Sequence, residues 1–250
     1  LVRQMRGGAE KLRASLAELE ATRDRLVEEE KLAAVGRLAG AIAHEVRNPV
    51  TMIVSALGLA ADGGTDAGKR AEWHAIAGEE ARRLEALTQD FLAYARQKEP
   101  ERRPSRLEAE VGYVAALARA KEASMGVRLT VDDPEDAPLS ADSFQLHAAL
   151  LNLLVNAFDA TPPGGEVVLG ARPAPDGGAT FRVENSGPAI PAGNVPRLFE
   201  PFFTTRPRGT GLGLAIARTI ARSHGGDVTL AANEEGRVRF ELTVGPGPGD

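Results

Sequence analysis

Apolar residues over the first hundred positions recur at helical spacing, and that period ends at Glu99-Pro100-Glu101-Arg102-Arg103-Pro104. A short, charged, proline-punctuated run is how a boundary between two domains reads. Before it, Ala9 to Glu30 is rich in Ala, Glu, Leu, Lys and Arg, with Leu12, Leu16, Leu19 and Leu26 near heptad spacing. This reads as a coiled-coil arm; Arg23 and Glu30 interrupt the seam, and a solvated charged helix is the other reading. The pattern runs on to about Ala61, turns at Asp62-Gly63-Gly64-Thr65-Asp66 where an N-cap is available, and resumes from about Ala67 to Lys98. Trp73, Ile76, Ala77, Leu84, Leu87, Phe91 and Tyr94 form its inward stripe. Two such antiparallel helices make a hairpin that buries its stripe best against a second copy.

Beyond the boundary the period alternates. Helices are expected near Glu108–Ala123, Asp142–Ala160 and Leu212–Ser223, and strands near Val127–Val131, Glu166–Ala171, Ala179–Glu184, Asp227–Ala232 and Arg237–Val244. Strands adjacent in pairs with helices between them predict an α+β layer sandwich rather than a doubly wound parallel sheet. The Gly-Pro tail, 245–250, is expected to fray. The expected domains are 1–32, 33–99 and 100–250.

A formal charge of −5 with mixed signs gives no basic footprint for nucleic acid. Cysteine is absent, so disulfides and thiolate metal sites are excluded, and the four histidines, at 44, 74, 147 and 224, lack metal-ligand spacing. No apolar run approaches the roughly 18 residues that span a bilayer, and no signal peptide is visible, so a cytoplasmic chain with no membrane contact of its own is expected. Starting at Leu1 and running straight into helical sequence, the chain reads as a piece of a longer protein.

His44-Glu45-Val46-Arg47-Asn48-Pro49 sets an imidazole, a carboxylate, an amide and a proline within about two turns of helix. Leu32, Val35, Leu38 and Ile42 place the apolar stripe elsewhere, leaving the His44 ring open to solvent. Glu45 can accept the Nδ1 proton and leave Nε2 free to attack phosphorus, while Asn48 lies one turn on. Pro49 removes the helical partner of the Glu45 carbonyl, so a bend is expected there.

Asn152 and Asn156 stand one turn apart on the apolar run Leu150-Leu151-Asn152-Leu153-Leu154-Val155-Asn156-Ala157-Phe158-Asp159. Burying two carboxamides is costly unless something bonds them, and a Mg²⁺ carrying phosphates takes oxygen ligands of this kind. Arg208-Gly209-Thr210-Gly211-Leu212-Gly213 leads straight into a helix, where backbone N–H groups can close on phosphate oxygens. It follows Leu198-Phe199-Glu200-Pro201-Phe202-Phe203-Thr204-Thr205, apolar anchors before a polar stretch that could fold over a nucleotide as a lid, with Arg206 and Arg208 facing the terminal phosphates.

Taken in order, these segments resemble the sensor histidine kinases of two-component systems from Lys31 to Val244, and the wording around His44, Asn156 and Phe202 is most similar to the nitrogen-regulation subgroup. The resemblance implies an H-box at His44 to Pro49, an N-box at Asn152 to Asn156, a first glycine box in the region Asn185 to Pro191, an F-box at Phe199 to Phe203 and a second glycine box at Gly209 to Gly213. It further implies a dimeric four-helix bundle, then an ATP-binding sandwich of the gyrase and chaperone type. Catalysis would fall to His44, Glu45 and Asn48, and Mg²⁺ to Asn156 and Asn152. ATP would be held by Asn152, Asn156, Asn185, Gly187, Thr205, Arg206, Gly209, Thr210, Gly211, Leu212 and Gly213. The implied partners are a second copy and a response-regulator receiver domain. Two positions depart from the family: Asn185 stands where it has an adenine-binding aspartate, and Ala189 where it has a glycine. Weaker nucleotide affinity is the expected result. The competing readings are a degenerate kinase serving as dimeric scaffold or phosphatase-only partner, and an ATPase of the wider family.

Overall fold

The structure, a computed structural model, describes residues 40, 42–62, 64, 66–95, 98–132, 134–206 and 209–247. The expected coiled-coil arm, the Leu32-Val35-Leu38 stripe, Arg208 and the last three residues lie outside them. Two compact units are present, divided between Leu84 and Glu85.

In the first unit, helix α1 covers residues 42–61 and continues through Pro49. Helix α2 (Ala67–Ala95) begins after the expected turn, where Asp66 caps it by accepting from the Lys69 N–H at 2.9 Å. Pro49, Ala56 and Ala60 are buried on α1 and Ala77 on α2, while Glu45 and Arg83 face each other at 4.0 Å. Val50, Met52, Val54 and Leu57 of α1 are exposed, Val54 by 65%.

The second unit takes in the last turns of α2 and builds on β1 (Arg103–Arg106), α3 (Leu107–Met125), β2 (Arg128–Val131), β3 (Pro138–Ala141) and α4 (Ser143–Ala160). It continues with β4 (Glu166–Pro173), β5 (Ala179–Asn185), a short 3-10 turn (Val195–Arg197), α5 (Gly213–Ser223), β6 (Val228–Glu234) and β7 (Arg237–Val244). Five strands form a sheet in the order β2-β4-β5-β7-β6, in which only β2 and β4 run parallel. Alternate residues of β5 and β7 are buried, and α3, α4 and α5 pack on the sheet. This is the two-layer sandwich that the alternating periods predict.

Two strands were not legible in the sequence. β1 and β3 pair antiparallel as a separate ribbon, Arg103 opposite Ala141, so the charged linker ends in structure. Pro104 and Pro138 lie within this ribbon, tolerated because a two-stranded sheet has only edges. The tail is also tied down further than expected. The Arg102 guanidinium donates to the carbonyls of Gly245 and Pro246, and the Gly245 N–H bonds His224.

His224 locks these pieces together. Its buried ring donates from Nδ1 to the Ile220 carbonyl at 2.9 Å and accepts at Nε2 from the Asp142 N–H at 3.1 Å, beside the N-cap of α4. Burial pushes its pKa below the ordinary 6.5, with nearby Arg102 adding to the effect and the Ile220 carbonyl and Asp142 opposing it. A group depressed in the folded state makes the unfolded chain the stronger proton binder between the two pKa values. Stability from this group is therefore complete above pH 6.5 and declines as pH falls toward the folded value. Thermal melts between neutral and mildly acidic pH should show that decline, and His224→Phe, which cannot titrate, should flatten it.

Candidate functional site

The implied catalytic residues lie on α1. His44 and Asn48, one turn apart, are both exposed, as the stripe argument requires. Glu45 is half-buried and turned to Arg83 rather than to the neighbouring ring, because successive side chains on a helix point about 100° apart.

The remaining implied site residues belong to the second unit, where a cavity of about 870 Å³ opens. One wall is α4, whose register is fixed by buried Leu146, Leu150, Leu153, Leu154 and Phe158. Its opposite face then presents Asn152, Asn156 and Asp159 at intervals of four and three residues. Asn152 donates to the Ala148 carbonyl at 2.9 Å, which leaves its oxygen near Gly213: a Cβ there would sit 2.9 Å from Oδ1. The Asn156 carboxamide has no hydrogen-bond partner among the described residues, so an oxygen ligand for a divalent cation is available. Among those residues no cluster of three or more His, Cys, Asp or Glu forms an alternative metal site.

Arg206, four residues before Thr210, lines the cavity and reaches α4. Its guanidinium donates to the Asn156 carbonyl at 2.7 Å and meets Asp159 at 3.3 Å, and Lys121 holds the same carboxylate at 2.8 Å. Desolvation by burial lowers the Arg206 pKa against the opposing pull of Asp159. Asp159 and Lys121 had no assigned role in the sequence, although Asp159 sits one turn beyond Asn156 and its position was the available signal.

Thr205, Gly209, Thr210, Gly211 and Gly213 also line the cavity. The Thr210 hydroxyl donates to Asp90 near the end of α2 at 2.7 Å, another contact no motif announced. Gly211 has φ +69°, and a Cβ on it would lie 2.5 Å from the carbonyl carbon of Phe202. Phe202 itself adopts φ +66°, so two left-handed residues lie back to back in this turn. Helix α5 starts with no side-chain cap, leaving its first N–H groups to bond an anion. Leu212 is fully buried and does not line the cavity, and Gly187 packs against the Ala160 carbonyl.

On the sheet side the cavity is lined by Asn185 of β5 and by Val238 and Phe240 of β7, and Asn185 ends a buried face that it shares with Ala179, Phe181 and Val183. Asn185 is 4% exposed, lines the cavity, and keeps a buried Nδ2 without an acceptor. Such an orphan donor costs about 1–3 kcal/mol. Beyond it, Asn233 clamps the Ile190 backbone with both ends of its amide, accepting at 2.7 Å and donating at 2.9 Å.

Residues 34–100 match the His Kinase A (phospho-acceptor) domain, and residues 141–247 match the histidine kinase-, DNA gyrase B- and HSP90-like ATPase family. The signal transduction histidine-protein kinase AtoS of Escherichia coli (strain K12) is 30% identical over 90% of this chain and 37% of its own length. The sensor protein FixL of Bradyrhizobium diazoefficiens is 32% identical over 91% of this chain and 47% of its own. The chain thus spans less than half the length of these relatives. Histidine kinase ThkA, in a crystal structure with response regulator protein TrrA, aligns with a TM-score of 0.75 and 29% identity, covering 88% of this chain and 64% of that one. Its catalytic domain alone, nucleotide free, is 32% identical with a TM-score of 0.53, covering 58% of this chain and 95% of that domain.

Gly211→Ala should test the turn directly. A side chain at positive φ that also strikes the Phe202 carbonyl should cost roughly 1–3 kcal/mol, read as a lowered denaturant midpoint with an unchanged m-value.

Proposed function

This chain belongs to the sensor histidine kinase family, and from that premise we propose that it is an ATP-dependent autokinase that phosphorylates His44 and passes the phosphoryl group to an aspartate of a response regulator. One observation carries the reading. Asn152, Asn156, Arg206 and the uncapped glycine-led start of α5 converge on a single cavity whose other walls are apolar enough for a base.

In this proposal Asn156, with Asn152, holds Mg²⁺, which would neutralise phosphate charge. Thr205, Arg206 and the backbone from Gly209 to Gly213 hold the phosphates, and Asn185, with Gly187 behind it, meets the base. The Nε2 of His44 forms a bond to the γ-phosphorus as the bond to the bridging oxygen of ADP breaks. Glu45 serves as base and orienter by releasing Arg83, a half-buried pair whose 4.0 Å separation makes it a weak contact. Asn48 orients water for dephosphorylating the regulator, so the same helix serves both activities. The functional domains are proposed as 1–32 for a coiled-coil signalling helix, 33–99 for dimerisation and phosphotransfer, and 100–250 for nucleotide binding. A homodimer is supported by the exposed Val50, Val54 and Leu57, which recur at helical spacing on α1 and need an apolar partner. A cytoplasmic setting is proposed with it; no described helix is long and apolar enough to cross a membrane.

Incubation with γ-labelled ATP and Mg²⁺ should give acid-labile, base-stable label that His44→Ala abolishes and Asn156→Ala lowers by at least about tenfold. Released phosphate without labelled protein would indicate an ATPase instead, and neither signal would indicate a scaffold. Asn48→Ala should separate the two activities, sparing autophosphorylation while impairing dephosphorylation of a phosphorylated receiver domain. If both fell together, Asn48 would not hold the role given to it.

A further inference from the structure

Asn185 ends the buried stripe of β5, following Ala179, Phe181 and Val183 on the same face, and it is the polar member of that stripe. Its Nδ2 is buried, without an acceptor, and ends beside Gly187, where a Cβ would stand 2.6 Å away. A Cβ at Gly187 would also sit 2.3 Å from the Ala160 carbonyl, so the backbone is tightly packed on that side. Asn185 itself lines the cavity, so a turn of its carboxamide about the last side-chain bond would bring the donor to the opening. A donor held dry at the wall of a cavity awaits a ligand acceptor.

The purine six-edge distinguishes the candidates. Adenine shows an amine donor at position 6 and an acceptor at N1, whereas a 6-oxopurine shows a carbonyl acceptor at position 6 and an N–H at N1. A carboxylate accepts only: it suits the adenine amine and opposes the 6-oxo oxygen. The carboxamide of Asn185 carries one donor end and one acceptor end and matches either edge by its orientation. The repulsive element that would reject the wrong base is therefore missing.

We propose that the nucleotide site of this chain takes 6-oxopurine nucleoside triphosphates, those of inosine and guanosine, alongside ATP. The inference rests on the nucleotide-binding reading of the cavity given above. Inosine triphosphate is the decisive probe, because it lacks the 2-amino group and differs from ATP only at the six-edge. Calorimetric titration of the whole chain in Mg²⁺ buffer should give a Kd for inosine triphosphate within tenfold of that for ATP. Asn185→Asp should move the ratio of the two Kd values at least tenfold toward ATP. A wild-type ratio beyond tenfold, or an unmoved ratio in a folded Asn185→Asp, overturns the inference while ATP binding leaves the nucleotide reading intact. If neither nucleotide binds, that reading fails and takes this one with it. Should circular dichroism show Asn185→Asp unfolded, the wild-type ratio alone decides.

Discussion

The packing of α4 decides where the chemistry can be. Its buried leucines and Phe158 each contribute about 1.5–3 kcal/mol, on the order of 10 kcal/mol together, whereas a hydrogen bond from Asn152 contributes about 1. The apolar face therefore sets the rotation of the helix, and Asn152, Asn156 and Asp159 point into the cavity as a consequence. A one-residue shift would turn all three by about 100° into the sandwich, where no partner could satisfy them. His224 and the Asp142 cap fix the start of the same helix, so the tail, α5 and α4 share one anchor.

The opposite side of the cavity is held differently. Among the described residues from Ile190 to Thr210 the regular structure is a short 3-10 turn, and their arrangement rests on single contacts. Asn233 clamps Ile190, Arg197 lies over the Phe203 ring at 4.4 Å, and Phe199 meets Phe240 edge-on at 6.4 Å. Phe202 and Gly211 lock the turn by close approach of left-handed backbone. Arg206 holds its position through Asn156 and Asp159, groups that a polyphosphate would compete with directly. Few buried apolar contacts and several polar ones are what a segment needs if it is to rearrange around a ligand.

Much of this was legible in the residues because the signals were local. The turn at Asp66, the α4 face and the glycine-led start of α5 each follow from periodicity or from backbone geometry within a few positions. What escaped was non-local. β1 and β3 are four residues each and carry proline, so nothing in Arg103–Arg106 marks a strand until Pro138–Ala141 lies beside it. The Asp90–Thr210 bond joins residues 120 apart, and the links of Lys121 and Arg206 to Asp159 likewise depend on tertiary placement. Adjacency suggested Glu45 as a partner of His44 and could not show the approach of Arg83 from α2, which depends on how the two helices pack. Leu212 was grouped with the binding residues because it stands inside the glycine run, yet burial assigns its side chain to the core.

The neutral residue at 185 also changes the charge balance of the cavity. Among the described lining residues the charged groups are Asp90, Asp159 and Arg206. Asp159 is paired with Lys121 and Arg206, and Asp90 accepts from Thr210. An aspartate at 185 would add a third carboxylate to a cavity that must receive a polyphosphate. Two unit charges about 10 Å apart interact by roughly 1.7 kcal/mol at an effective dielectric of about 20. A charge-assisted bond exceeds a neutral one by about 1 kcal/mol, so what the carboxamide gives up toward an adenine amine is of the same order as the phosphate repulsion it removes. Under the proposed nucleotide reading, Asn185 trades base selectivity against repulsion rather than damaging the site. The intact Asn156, Arg206 and α5 start around it are what that description requires.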